Sequence, residues 1–193
     1  MDIGDLERCR EGNRLEAKAA QGGLPGDVWP SVSAFSNTDG GTIVLGVKED
    51  TKTHELFVLG LRDARKMLDD FVNAANSRDK LSYPIFSDGD LSIQTIRGRD
   101  VVVIEVPRAE RRLRPVYEGH DPFKGTYRRK FTGDYRCTRG EVAAMLRDST
   151  DDPLDMLPAE HSGLDDLDWD TIRAYRSLYD GSHATGGIRK MSD

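Results

Sequence analysis

The sequence predicts an α+β fold in which a mixed central sheet is flanked by helices. Residues 42–47 are β-branched and apolar on both faces, which is typical of a strand buried from both sides. Residues 91–96 and 101–106 surround a short polar turn and predict a hairpin. Residues 26–38 and 63–75 place apolar side chains at helical spacing. Strands and helices therefore succeed one another along a chain of 193 residues.

Both predicted helices carry terminal signals. In the first, Pro25 is tolerated in the opening turn, and Gly40 with Gly41 can end the helix in a left-handed conformation. In the second, Asp63 can cap the first turn. A phosphate-binding role for the glycine pair is the less favoured interpretation, because the dipole at a helix C-terminus repels an anion.

The remaining elements are shorter. Residues 56–61 predict a strand that pairs back through a polar turn. Residues 126–130 and 135–138 predict two more strands on either side of a Gly-Asp step, and residues 141–147 predict the last helix of the domain. These elements complete one domain over residues 1–150.

A change of composition follows that domain. Residues 151–193 carry ten acidic and four basic side chains. Proline and glycine make residues 149–164 a predicted linker, and residues 168–179 predict a helix with one apolar face. We expect this acidic linker and helix to lead into a C-terminal region that lies beyond this chain.

Composition narrows the class of protein. The chain has no long apolar run and no basic leader before an apolar core, so we expect a cytoplasmic protein without a membrane partner. Its 2 cysteines and 4 histidines are scattered, which gives neither a zinc pattern nor a disulfide framework. A phosphate-binding G-x-x-x-x-G-K-[ST] motif does not occur, which argues against nucleotide hydrolysis.

The net charge of -6 conceals a basic segment. Residues 108–139 carry ten basic and four acidic side chains, and such a concentration of positive charge attracts phosphate backbones even in an acidic protein. Aromatic side chains in the same segment can stack on bases. The alternative is a solvated strand edge that charge protects from pairing. The candidate nucleic-acid-binding residues are Arg112, Arg114, Tyr127, Arg128, Arg129, Lys130 and Arg136.

A second candidate site lies near the N-terminus. On one continuous strand Glu11 and Glu16 would point to opposite faces, although the intervening Gly-Asn step offers a turn that could bring them together. Glu16 and Lys18 share a face of the predicted strand. Carboxylates with a lysine can hold a divalent cation and polarise a phosphodiester, but the same residues can also form a structural ion pair.

The order and spacing of these motifs are similar to those of a known family. Residues 11–18 follow the family pattern E-x-x-x-x-E-[aromatic]-K except that Ala17 stands in the aromatic position, and residues 35–41 read F-x-N-x-x-G-G before a strand that ends in Gly-Val. Residues 114–117, 125–129 and 133–138 continue the likeness. The chain thus resembles the Schlafen AlbA-like domain over about residues 5–150.

That resemblance implies a nucleic-acid-binding domain whose partner is DNA or RNA. It implies in particular the DNA-binding part of a bacterial transcriptional regulator. The alternative that it implies is a metal-dependent endoribonuclease of the Schlafen type, with Mg²⁺ or Mn²⁺ as cofactor. Its catalytic residues would be Glu11, Glu16, Lys18 and Glu49, and its metal ligands Glu11, Glu16, Glu49 and Asp50. A protein-binding module whose acidic tail covers the basic segment is a third interpretation. The sequence leaves open whether the chain forms a homo-oligomer.

Overall fold

The computed structural model of the chain describes residues 14–50, 52–149, 163 and 167–182. Contacts between Cα atoms divide the chain into one unit over Met1–Asp151 and a second over Asp152–Asp193. The predicted linker at residues 149–164 falls almost entirely outside the described residues, as does Glu11.

The first unit contains both strands and helices. In chain order its elements are β1 (Leu15–Lys18), α1 (Val28–Ser36), β2 (Gly41–Leu45), β3 (Val47–Glu49), β4 (Leu56–Val58), α2 (Ala64–Ala75), β5 (Leu91–Ile96), β6 (Arg99–Val106), α3 (Pro122–Gly125), β7 (Tyr127–Lys130), β8 (Gly133–Arg136) and α4 (Arg139–Asp148). A 3₁₀ turn at Arg111–Leu113 precedes α3.

Four strands form a mixed sheet in the order β1-β2-β6-β5. Strand β2 pairs in parallel with β1 and antiparallel with β6, and β5 and β6 form an antiparallel hairpin. The predicted buried strand is therefore an inner strand, as its apolar faces require. The α+β prediction is confirmed, including the mixed sheet.

The sheet is buried on both faces. Ile43 and Ile104 belong to the core that α1 and α2 cover, where Phe71 of α2 stacks on Trp29 of α1 at 5.4 Å between ring centroids. Val44 and Val103 point to the opposite face, beside the small β3-β4 ribbon. Because side chains alternate along a strand, the two faces draw on neighbouring residues of β2 and β6.

Local signals place most helix ends. The Asp63 carboxylate accepts the Lys66 backbone N–H at 2.8 Å, so the predicted cap of α2 is confirmed. Helix α1 ends earlier than predicted, with Asn37 as its C-cap, and Gly40, at φ +71, donates its N–H to the Phe35 carbonyl at 2.9 Å in the turn that follows. A Cβ on Gly40 would lie 2.8 Å from the Val106 carbonyl oxygen, so this turn needs glycine.

The second unit contains α5 (Trp169–Ser182), close to the predicted residues 168–179. The Asp168 carboxylate accepts the Thr171 hydroxyl at 2.7 Å and the Asp170 and Thr171 backbone N–H groups at 3.1 and 3.2 Å. Asp168 therefore caps this helix. Nowhere in the described part of the chain is a helix both long and apolar enough to cross a bilayer.

Candidate nucleic-acid interface

Four arginines share one region of the first unit. Arg114 follows the 3₁₀ turn and is half-buried. Burial lowers the pKa of the Arg114 guanidinium, and the positive charges of Arg108, Arg128 and Arg111 lower it further against the opposing charge of Asp148. This effect requires the four side chains to lie near one another, because charge interactions fade with distance in solvent. We call Arg108, Arg111, Arg114 and Arg128 the arginine cluster.

Carboxylates approach three members of the arginine cluster only loosely. Arg108 lies 4.0 Å from Asp39, Arg111 lies 3.9 Å from Asp148, and Arg128 lies 3.8 Å from Glu141. Exposed ion pairs at such distances are weak.

Arg114 is the least neutralised member of the cluster. Across residues 14–50 and 52–149, no ion pair or hydrogen bond joins the Arg114 guanidinium to another residue. Together with the loose pairs of its neighbours, this leaves the cluster with a net positive field and with N–H donors that a phosphate can use.

Arg14 extends the arginine cluster toward the N-terminus. Its guanidinium donates to the Asp39 carbonyl oxygen at 2.7 Å, beside the Asp39 carboxylate that faces Arg108. The turn between α1 and β2 thereby carries an arginine on either side. Sequence reasoning missed Arg14 as a candidate contact, because only the tertiary fold brings it beside Arg108.

The β7-β8 hairpin sorts its basic side chains onto two faces. Strand β7 alternates, so Arg128 and Lys130 share one face while Arg129 points to the other. Tyr135 lies directly across from Arg128 and joins it on the outer face. Arg129 is 4% exposed, whereas Arg128 and Lys130 reach solvent. Two of the three consecutive basic residues therefore remain available to a ligand.

Arg129 departs from the expectation of an exposed phosphate contact. Its guanidinium lies 2.8 Å from the Glu16 carboxylate, 2.8 Å from the Asp134 carboxylate and 4.9 Å from the centre of the Phe35 ring. Burial lowers the pKa of Arg129, but hydrogen bonding to Asp134 and the charge of Glu16 outweigh it, so the pKa is raised. Arg129 stays charged and holds the hairpin to the rest of the domain.

Glu16 and Lys18 form an ion pair, which is the structural alternative to a metal site that the sequence offers for these residues. The Lys18 ammonium lies 3.1 Å from the Glu16 carboxylate and 2.9 Å from that of Asp27. Burial lowers the pKa of Lys18, while the hydrogen bond to Asp27 and the charge of Glu16 raise it by more. With Arg129 and Asp134, Glu16 and Lys18 form a largely buried ion network in which the Glu16 carboxylate serves two cations, while Asp27 pairs with Lys18 from an exposed position.

Glu49 and Asp50 have other partners. The Glu49 carboxylate lies 2.8 Å from the His54 ring nitrogen Nδ1. The Asp50 carboxylate accepts the backbone N–H groups of Thr53 and Lys52 at 3.0 and 2.8 Å, and these bonds lower the pKa of Asp50. Both residues order the turn between β3 and β4.

The structure does not bring Glu16, Glu49 and Asp50 together. In the part of the chain that the structure describes, which leaves out Glu11, no three acidic, histidine or cysteine residues converge as metal ligands. The described members of the predicted metal set therefore do not fit a shared Mg²⁺ or Mn²⁺ ion.

The other predicted contacts are tied to neighbours. Arg136 donates to the Tyr127 hydroxyl at 3.2 Å, and its guanidinium lies 5.6 Å from the centre of that ring. Hydrogen bonding to Tyr127 raises the pKa of Arg136. Arg112 donates to Glu110 at 2.8 Å. Arg136 and Arg112 are exposed, so these contacts orient them without removing them from solvent.

A buried amide fixes the segment that carries Arg114. The Asn37 side chain accepts the Val116 backbone N–H at 2.9 Å and donates to the Val116 carbonyl at 2.7 Å, as a paired strand would. The same amide donates to the Tyr127 carbonyl at 3.1 Å. We call this the Asn37 clamp. Sequence reasoning placed Asn37 only at the end of a helix, and the F-x-N-x-x-G-G pattern was the available signal.

Ser33 adds a second attachment between α1 and the basic segment. Its hydroxyl donates to the Val116 carbonyl at 2.8 Å and accepts the Tyr127 backbone N–H at 3.0 Å. Ser33 is fully buried, so both bonds are shielded from water. Helix α1 thus holds both the segment that carries Arg114 and the start of β7.

The comparisons with known proteins give one family match and two similar solved structures. A sequence profile of the Schlafen, AlbA_2 family matches residues 11–138. One similar solved structure is the solution NMR structure of the N-terminal domain of a Nitrosomonas europaea protein, which is named as a putative ATP-dependent DNA helicase RecG-related protein. Its sequence is 29% identical and its TM-score is 0.53, and the match covers 71% of this chain and 92% of that one. The crystal structure of the DIP2311 protein from Corynebacterium diphtheriae is 18% identical with a TM-score of 0.47, over 90% of this chain and 30% of that one. No curated protein matches the sequence.

Proposed function

We propose that this chain, which belongs to the Schlafen AlbA_2 family, binds DNA through the arginine cluster as the DNA-binding part of a bacterial transcriptional regulator. The family is associated with nucleic acids in general. The finer role rests on the surface chemistry of this chain.

The observation that carries the proposal is the placement of four arginines together, three of which have carboxylate partners no nearer than 3.8 to 4.0 Å. Burial, together with the positive charges of Arg108, Arg128 and Arg111, lowers the pKa of Arg114, as expected where guanidinium groups repel one another. A polyanion relieves that repulsion when its phosphates neutralise the guanidinium groups. Phosphate binding is therefore the ligand chemistry that this surface favours most.

The framework beneath the cluster favours binding further. The Asn37 clamp and Ser33 tie the Arg114 segment to α1, and Arg129 ties the hairpin that carries Arg128 to β1 through Glu16. Rigid backbone beneath flexible arginine side chains limits the ordering cost of binding. The phosphate contacts would position the nucleic acid without reading its sequence.

We favour DNA over RNA as the ligand because of the name of a structurally similar protein. The solved Nitrosomonas europaea domain has a name that refers to a DNA helicase, and it covers most of the same fold. Competition between duplex DNA and duplex RNA of one sequence, each displacing a labelled DNA, measures the preference. We expect DNA to compete better, and equal or better competition by RNA would overturn the assignment to DNA.

A charge-matched pair of variants tests the proposal. The first replaces Arg111 and Arg114 by alanine, and the second replaces Arg65 and Lys66, which form their own ion pairs on the surface of α2. Both change the net charge equally. Fluorescence anisotropy with a random-sequence duplex at low salt should show roughly tenfold or greater weakening for the first variant only, since phosphate contacts dominate nonspecific affinity.

The affinities of the two variants distinguish binding at the arginine cluster from attraction by net charge alone. Equal weakening by both variants would mean that net charge alone drives binding, and the arginine cluster would lose its role. Absence of binding by the unmodified protein at low salt would overturn the proposal altogether. Circular dichroism of each variant checks that the substitutions at these exposed or half-buried positions leave the fold intact.

A further inference from the structure

The tip of the β7-β8 hairpin carries an aromatic side chain that the fold does not use. Phe131 follows directly after β7 and is 88% exposed. Its backbone has φ +55, in the left-handed region that favours glycine and asparagine. A single exposed apolar residue is ordinary, but a bulky aromatic at this φ is not.

Neither packing nor turn geometry accounts for phenylalanine at this position. The side chain gains almost no burial, and glycine would relieve the backbone strain at the same turn. Residues with strained backbone conformations are concentrated at functional sites, so the strain at Phe131 indicates a role in binding.

The surroundings of Phe131 identify the kind of ligand. On the outer face of the hairpin, Tyr135 is 57% exposed and its ring lies over Gly133, where an added Cβ would come within 2.7 Å of it. Lys130 and Arg128 share this face. Two exposed aromatic rings beside two cations form the combination that binds single-stranded nucleic acids, because rings stack on bases while cations hold the phosphates.

Arg128 connects the hairpin to the arginine cluster. It lies on the outer face of β7 and also contributes to the positive field at Arg114. A nucleic-acid strand whose phosphates contact the arginine cluster can therefore continue past Arg128 to the tip of the β7-β8 hairpin. The only described carboxylate partner of Arg128 is Glu141, at 3.8 Å, which accepts the Thr138 backbone N–H in the capping box of α4 and leaves Arg128 weakly neutralised.

We propose that Phe131 and Tyr135 stack on unpaired bases, so that the preferred partner is a nucleic acid with a single-stranded segment. The proposal deepens the proposed function and rests on it, because the arginine cluster must hold the same nucleic acid. Phosphate contacts alone give similar binding to any duplex, whereas stacking requires bases that are free of a partner. The β7-β8 hairpin would thus favour single-stranded over fully paired DNA.

The test compares two aromatic-to-alanine variants on two ligands. Phe131→Ala removes the ring at the tip, and Phe57→Ala is the matched control, since Phe57 is a 47% exposed phenylalanine on the β3-β4 ribbon. The ligands are a single strand and a fully paired, blunt-ended duplex of the same composition. We expect Phe131→Ala to weaken single-strand binding roughly tenfold, as the loss of one stacked base does, with little change for the duplex.

A second variant guards against a folding artefact. Phe131→Gly suits the positive φ, so its thermal stability should equal or exceed that of the unmodified protein while single-strand affinity falls. In the same assays, 2-aminopurine in the single strand should lose fluorescence on binding to the unmodified protein and recover it with Phe131→Gly.

The possible results distinguish this inference from the proposed function. If the unmodified protein binds both ligands and the Phe131 variants match it, the stacking proposal fails while the arginine cluster keeps its role. If Phe131→Ala weakens both ligands equally, the ring acts as a wedge in duplex DNA, and the preference for unpaired bases is wrong. If the unmodified protein binds neither ligand, both proposals fail.

Discussion

The guanidinium of Arg129 and the carboxylate of Glu16 lie 2.8 Å apart and join β7 to the edge strand β1. Arg129 also contacts Asp134 across the hairpin at 2.8 Å. One buried cation thereby fixes the hairpin internally and to the central sheet. The basic surface depends on an arginine that is itself inaccessible to a ligand.

We expect Arg129→Ala to destabilise the domain by about 3–5 kcal/mol, because Asp134 would lose its cation and Glu16 would lose one of its two. Urea unfolding followed by circular dichroism measures the change. Arg65→Ala, which removes an exposed arginine from α2, should change stability by less than about 0.5 kcal/mol. A small effect of Arg129→Ala would contradict the structural role of this residue.

Asn37→Ala should cost about 1–3 kcal/mol, because the buried Val116 backbone N–H would lose its partner while the Val116 carbonyl would keep only its bond from Ser33. The segment that carries Arg114 would also lose its fixed position. DNA affinity should therefore fall at temperatures where the variant is still folded. Asn73→Ala, at an exposed position of α2, is the control for unfolding and binding. Normal stability in Asn37→Ala would show that the clamp is dispensable.

Glu141 should give the domain a defined acid dependence. The Thr138 backbone N–H and hydroxyl, together with the charges of Lys130 and Arg128, lower the pKa of Glu141 in the folded protein. A lowered folded-state pKa stabilises the fold above the ordinary glutamate pKa of about 4.3 and loses that effect as pH falls through the folded value. The stability difference between the unmodified protein and Glu141→Gln should shrink over that window. A difference that is constant with pH would contradict this linkage.

The position of Glu16 also bears on the ribonuclease alternative. Since this carboxylate serves Lys18 and Arg129, Glu16→Gln should lower stability without changing any cleavage of structured RNA in Mg²⁺ or Mn²⁺. Gel analysis of the RNA after incubation with each protein decides the matter. Metal-dependent cleavage by the unmodified protein that Glu16→Gln abolishes would restore Glu16 as a catalytic residue.

Periodicity predicted much of the fold, because local patterns suffice for that purpose. The apolar stripe of α2 and its cap at Asp63 depend on neighbours in sequence, and both were predicted correctly. The predicted strand through Val47 was partly wrong. Gly46, at φ +96, ends β2 at Leu45 and sends Val47 into a separate ribbon.

The candidate site was less predictable because distant segments build it. Val116 is 79 residues from Asn37, and no local pattern pairs them. The burial of Arg129 could have been predicted from the sequence, since side chains alternate along β7 and place Arg129 on the opposite face from Arg128 and Lys130. A cation on the inner face requires acidic partners, and the register of the hairpin supplies Asp134 directly across from it.

The central claim is that phosphates lie on the arginine cluster, and the salt dependence of duplex binding tests it most directly. A plot of log affinity against log salt should have a slope that Arg111→Ala/Arg114→Ala reduces by about 0.9 for each lost phosphate contact. The control variant Arg65→Ala/Lys66→Ala should keep the slope of the unmodified protein. An unchanged slope in the cluster variant would contradict the claim.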